Sequence, residues 1–285
     1  MSYLEHFKNP IDQTVRARVS CRTYENRLLG ETHKKELLDF CKIMTNGLNG
    51  EKIVYQLVEF SVEELKEKKI AAYGLFKNAR SFLVGIIDRS DSYHMSYGYA
   101  VEHIVLKATE LGVGTCWAGY FEPFLIRDVK IAGNQTVPAI ILVGYAAEKQ
   151  TLLEKIGRFA IRAAKRHDWD KLYFHEDFNK VLTPEEAGPY REALELLHLA
   201  PSSGNTQPWR VVKEKGPQNF HFFKKAVNPR YEEKRLHDID VGIAMCHFEL
   251  GATKNNLRGK WDRIDPRIPN LPPKTEYMVT WLSRG

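Results

Sequence analysis

Two stretches of this chain repeat one another at a fixed distance. Gly98-Tyr99-Ala100, Leu106, Ala108-Thr109 and Trp117 recur as Gly242-Ile243-Ala244, Leu250, Ala252-Thr253 and Trp261. The differences 242 minus 98 and 261 minus 117 are both 144. Earlier in each half, a helical pattern ending at Met44 and a loop with Asn49 resemble a pattern ending at Ala200 and a loop with Asn205, where 205 minus 49 is 156. Ordered matches with a modest deletion between them describe a duplicated unit; a chance likeness of amphipathic helices is the other reading. Duplicated units can pack about a pseudo-two-fold axis, as an isologous dimer does, and so form two clefts.

The rest of the chain fits an α+β architecture of two similar α/β units, one over residues 1–170 and one over 171–285. At 285 residues it can bury a large core. Helical spacing predicts helices over Glu31–Met44 with Thr32 as cap, Tyr97–Leu111 and Tyr190–Leu199, and a capping box opens one over Ser61–Lys68. Strands are predicted over Ile53–Phe60, Ser81–Asp88 and Val137–Tyr145, with another starting near Trp209. The longest apolar runs, Phe82–Ile87 and Val137–Val143, are too short to span a bilayer, and the N-terminal residues lack the apolar core of a signal peptide. Cys21, Cys41, Cys116 and Cys246 stand far apart without metal-ligand spacing. A cytoplasmic, reduced protein is expected. Net charge is +6, and basic runs occur at Lys66–Lys69 and Arg158–Arg166, but no nucleic-acid motif accompanies them. Neither nucleic acid nor membrane is expected as a partner.

Chemistry concentrates in two places, one in each half. Arg18-Val19-Ser20-Cys21-Arg22 puts two guanidinium groups and a hydroxyl on one side of the chain if the segment is extended. That set can clamp a phosphate; a solvated basic strand is the alternative. Ala200-Pro-Ser-Ser-Gly-Asn-Thr-Gln-Pro-Trp-Arg210 joins a helix to a strand, and its two prolines hold the loop open. Its hydroxyls, amides and bared backbone around Gly204 can cup a planar heteroaromatic ring, or can simply be a polar connection. The first half carries T-N-G-L-N-G-E-K-I at the corresponding loop, and the second half has no Arg-x-Ser-x-Arg before Asn179-Lys180. One cleft is complete and the other lacks its motifs.

Together, Arg18–Arg22, the Pro201–Trp209 loop, the glycine-rich Gly112–Phe121 segment and Gly144-Tyr145 resemble the FMN-dependent nitroreductase family. Ordinary members are homodimers with both motifs in one unit. Here the serine loop lies in the second copy, so the chain is similar to the single-chain branch known as putative TM nitroreductases. The resemblance implies a nitroreductase-like fold mimicking a homodimer, and a monomer acting as a pseudo-dimer. It implies that Arg18, Ser20 and Arg22 hold the FMN phosphate and ribityl oxygens. Pro201, Ser202, Ser203 and Asn205 would approach from the other unit, and Cys116, Trp117, Ala118 and Gly119 would line the ring near N5. Lys165 and Arg166 stand where the family often has phosphate-binding basic residues. One FMN per chain is expected. NAD(P)H would reduce it, and a small-molecule electron acceptor such as a nitroaromatic, a quinone, an enone or free flavin would reoxidise it. A flavin-binding sensor or scaffold without turnover is the alternative. No side-chain nucleophile or metal is required, and no such motif occurs.

Overall fold

The computed structural model describes residues 3–66, 76–147 and 165–284. The basic run past Lys66, the last two residues of the helix expected over Ser61–Lys68, and the basic run before Lys165 lie outside them. In chain order the elements are α1 (Ile11–Ala17), α2 (Glu31–Cys41), β1 (Ile53–Glu59), α3 (Val62–Leu65), β2 (Ser81–Asp88), α4 (Tyr93–Glu110), β3 (Gly114–Ala118), β4 (Gln135–Thr136) and β5 (Ile140–Gly144). There follow β6 (Tyr173–His175), α5 (Arg191–His198), β7 (Trp209–Lys213), β8 (Phe220–Lys225), α6 (Pro229–Glu233), α7 (Leu236–Lys254), β9 (Arg258–Asp262) and β10 (Thr275–Arg284).

Two sheets result, with the same internal order. In the first the path is β1-β2-β5-β3, with β4 also pairing β2; in the second it is β7-β8-β10-β9, with β6 added parallel beside β7. All other neighbours are antiparallel. β2 is buried along nearly its whole length because alternate residues serve two cores. Leu83 and Ile87 join the main core, while Phe82, Val84 and Ile86 join a smaller one with Phe60 and Leu125.

Between the sheets run α4 and α7, the longest helices among the described residues. Burial extends around both, over His94–Ala108 and over Leu236–Phe248, which fits helices apolar on most faces. They touch at two glycines. A Cβ on Gly98 would lie 2.1 Å from the Ile239 carbonyl oxygen, and one on Gly242 would lie 2.0 Å from that of Met95. The contact is reciprocal, since 242 minus 98 and 239 minus 95 both give 144. No helix among the described residues is long and apolar enough to cross a membrane.

Several sequence expectations move. α2 starts from Gly30 without a side-chain cap, so Thr32 is not its cap. It ends at Cys41, and the chain tightens over Lys42–Met44 through Ile43 N–H to Phe40 O and Met44 N–H to Cys41 O. α4 begins at Tyr93, four residues early, because polar His94 and Ser96 are packed inside rather than left at an end. The strand expected over Val137–Tyr145 is shorter: Pro138 has no N–H to give a ladder, so β5 starts at Ile140 and ends at Gly144, while β4 lies before the expected range. β2 and the capping box at Ser61 and Glu64 stand as expected.

Candidate functional site

α1 ends at Ala17, and Arg18 leaves it in an extended conformation, φ −61° and ψ 122°. The chain then runs beside β3, with Ser20 bridged to Thr115 and Cys21 N–H donating to Thr115 O at 2.8 Å. Extended geometry sorts the side chains as alternation requires: Arg18, Ser20 and Arg22 enter a cleft of about 270 Å³, while Val19 faces solvent. β3 supplies Cys116, Trp117 and Ala118 to the same cleft, followed by Gly119 and Tyr120. The Trp117 indole N–H donates to Glu102 at 2.8 Å, deep between α4 and α7. Glu102 also meets His247 Nε2 at 2.9 Å, and the His247 Nδ1–H donates to Leu196 O. One wall of the cleft is thereby tied to both long helices.

The opposite wall is the Pro201–Asn205 loop. Its backbone takes positive φ at Gly204 (56°), Asn205 (57°) and Gln207 (46°), a run that costs energy at the two non-glycine positions unless side chains hold it. They do. Ser203 gives both its N–H and its Oγ–H to Asp240 Oδ1, at 2.9 and 3.1 Å. The Gln207 N–H donates to Ser202 Oγ, and the Gln207 amide bonds Lys165 O and the His167 N–H. Arg166 Nη1 donates to Asn205 Oδ1 at 2.5 Å and Nη2 to Leu199 O at 2.9 Å. Gly204 is further constrained, because a Cβ there would lie 2.7 Å from the Tyr231 hydroxyl.

Twelve of the thirteen residues singled out in the sequence line this one cleft: Arg18, Ser20, Arg22, Cys116, Trp117, Ala118, Gly119, Arg166, Pro201, Ser202, Ser203 and Asn205. Lys165 stands behind the loop, where its carbonyl accepts from Asn205 Nδ2 at 2.8 Å. Tyr120, Tyr231, Ile239, Asp240 and Ile243 also face the cleft, although none of them was singled out in the sequence. A signal existed for the last three: with Leu236 they fall at i, i+3, i+4 and i+7, one face of a helix.

The cleft is electropositive. Among the described residues no carboxylate pairs with Arg18, Arg22 or Arg166, and Arg18 Nε is buried without an acceptor. Burial lowers the Arg18 pKa, which Glu102 partly opposes. Arg166 falls to about 10 through burial and then the nearby charge of Arg18. Burial pushes the Cys116 thiol up against the pull of Arg22 and Arg18, so it is not poised as a thiolate. Asp240 is the one carboxylate among the cleft's described lining; burial raises its pKa, and its second oxygen meets His237 Nδ1 at 3.1 Å.

The two equally ordered sheets and the cleft beside their paired helices define a nitroreductase-type protein. The chain belongs to the "Putative TM nitroreductase" family, whose model matches residues 10–252. A solved "putative nitroreductase" from Thermotoga maritima is 20% identical, with a TM-score of 0.61 over 96% of this chain and 94% of that one. At that identity the likeness shows the fold. A nitroreductase family protein from Clostridium difficile 630 matches 53% of this chain and 92% of its own, at 22% identity and a TM-score of 0.39. A Bacteroides fragilis nitroreductase with bound FMN matches 51% and 92%, at 17% and 0.39. No curated protein matches the chain.

Proposed function

We propose that the cleft holds FMN and that the protein is an NAD(P)H-dependent oxidoreductase that reduces nitroaromatics, quinones or similar small acceptors. The observation that carries this is the set of three guanidinium groups, Arg18, Arg22 and Arg166, with no carboxylate partner among the described residues and one orphaned N–H. Buried cations without counter-ions are costly, and a phosphate would supply the missing charge and acceptors. The apolar wall of Pro201, Ala118, Ala139, Ile239 and Ile243 suits the face of a planar ring. The donor set and the shape both fit the group.

FMN, when bound, supplies the hydride chemistry. The chain's own residues bind and orient. Arg18 and Arg22 neutralise the phosphate from the first half, and Arg166, aligned by Asn205, adds a third charge. Asp240 fixes Ser203 and with it the loop, and Glu102 fixes the plane of Trp117. No nucleophile is called for, in keeping with a Cys116 thiol kept neutral by burial.

In this reading the two halves are copies of one unit and form a single-chain pseudo-dimer. The repeated strand order and the reciprocal glycine contact support it. The first-half loop is filled from within. Glu51 accepts from the Ser90, Ser92 and Ser96 hydroxyls at 2.7, 3.0 and 3.0 Å, and from the Asn49 N–H at 3.0 Å. These bonds draw the loop shut. Burial alone would raise that carboxyl, yet the hydrogen bonds, Ser90 foremost, hold it below the usual range. A fixed negative charge there opposes a second phosphate, so one FMN per chain is expected. The deciding measurement is the visible spectrum of the purified protein under anaerobic conditions, with and without NADH. A flavin spectrum bleached by NADH or NADPH supports the enzyme; a flavin spectrum that neither nucleotide alters points to a sensor; a protein that takes up no FMN overturns the reading.

A further inference from the structure

Behind the Pro201–Gln207 loop lies a second concavity, of about 340 Å³, bounded by the chain before β6, by β6 itself and by the ends of β7, β8 and β10. Two phenyl rings, Phe174 and Phe178, form part of its wall, with centroids 5.1 Å apart. Around them stand His167, Lys171, Arg210 and Lys225, against one carboxylate among the described lining, Asp170. Lys171 is already held by Asp168 at 2.8 Å. Arg210 and Lys225 have no carboxylate partner among the described residues.

Arg210 is the most confined of these cations. Its Nη1 donates to the carbonyls of Gln207 and Trp209, at 2.9 and 2.5 Å, which satisfies one corner of the guanidinium and leaves its charge uncompensated. Burial lowers its pKa to about 10. On the same wall the Thr275 hydroxyl is buried without a hydrogen-bond partner. Buried hydroxyls and guanidinium groups in folded proteins ordinarily find an acceptor. One bound anion would serve Arg210, Lys225 and Thr275 together, while a flat ring attached to it would lie against the two phenyl groups. We propose that this concavity is a binding site for a planar aromatic anion, a ring carrying one carboxylate or one phosphate.

The site shares a wall with the first cleft. Gln207 accepts from Arg210 through its carbonyl and from the His167 N–H through its side chain, and its own N–H donates to Ser202 Oγ in the first cleft. Gln207 also sits at φ 46°, a conformation that depends on these bonds. An anion that draws Arg210 away from Gln207 therefore alters the loop from behind. Occupancy of the two clefts is coupled, and the coupling is reciprocal.

Calorimetric titration of the full-length protein with benzoate, with AMP and with inorganic phosphate tests this. At least one aromatic anion should bind saturably at one site per chain, and more tightly than phosphate. Preference for benzoate or for AMP identifies the anion as an aromatic acid or as a nucleotide. Lys225→Gln and Thr275→Val should each weaken it, the former about tenfold. Measured on FMN-free protein, where the coupling is silent, the double variant Arg18→Ala/Arg22→Ala should leave it unchanged, which separates this site from the first cleft. In the presence of saturating probe, the affinity for added FMN should shift. The site is overturned if no aromatic probe binds to natively folded protein, if phosphate binds as tightly as the better aromatic probe, or if binding is lost in the arginine variant and kept in Lys225→Gln. An FMN affinity blind to saturating probe overturns the coupling.

Discussion

Arg18 and Arg22 reach the cleft because one residue of extended chain separates each from Ser20, and the same spacing made them legible in the sequence. Replacing both with Ala should weaken FMN binding by about 1.5–3 kcal/mol for each charge-assisted hydrogen bond removed, with the fold intact. Titration of apoprotein with FMN, alongside circular dichroism, checks this, and an unchanged affinity would return both residues to a solvated strand. Asn205 was legible as a site residue, but its bonds were not: its amide grips Arg166 and Lys165 O. Asn205→Leu should therefore act by releasing Arg166, giving partial loss of FMN affinity that Arg166→Ala reproduces and does not add to. Asp240 was illegible as a motif because nothing local distinguishes it from the other carboxylates; only the helix face it shares with Ile239 and Ile243 points inward. His103 carries a pH prediction of its own. It is fully buried, its Nδ1–H donates to Tyr99 O, and its Nε2 has no hydrogen-bond partner, so burial lowers its pKa from 6.5 to about 4. The unfolded chain binds the extra proton first, so stability is complete above pH 6.5 and is lost as pH falls toward 4, by roughly 3 kcal/mol at about 1.36 kcal/mol per pH unit. Urea unfolding at pH 7 and pH 4.5 should differ less in His103→Gln than in the parent protein.

At the scale of elements, the molecule depends on how closely α4 meets α7. Glycine in mid-helix is unfavourable by about 1 kcal/mol relative to alanine, yet both helices carry it where they touch. A methyl on either would strike backbone rather than a flexible side chain, so the helices would have to part along the whole interface. Gly98→Ala and Gly242→Ala should each cost about 3 kcal/mol or more, beyond the common range for an added methyl in a core. Gly133→Ala, where a Cβ meets nothing within 4 Å, is the control and should change the denaturation midpoint little. The repeat made both glycines visible in the sequence, and their reason became visible only in the packing of one helix on the other. Strand legibility divides in the same way. β2 could be read because a run of apolar residues is bounded by polar ones, whereas the break between β4 and β5 turns on Pro138 and on pairing that no local pattern records. The early start of α4 was hidden because Ser96 and His94 read as surface residues until Glu51 and α7 are packed beside them.

For the whole molecule, the question is whether either half can hold the cofactor alone. Arg18, Ser20, Arg22 and the β3 segment come from the first half, and the Pro201–Asn205 loop with Asp240 comes from the second. The segment at Lys165–His167 is bonded to that loop, and β6 pairs with β7, so a cut belongs before Lys165. Each fragment would also expose one long helix that is buried all round in the intact chain, and would carry a bared apolar face into solution. Co-expression of residues 1–164 with residues 165–285 should therefore give a complex that binds about one FMN per pair, while each fragment alone should bind none and associate with itself. Released flavin measured against protein gives the ratio. A ratio near two would mean that the Glu51 cluster does not close the second cleft, and a first half that bound FMN as tightly as the intact chain would reduce the second-half loop to a connection.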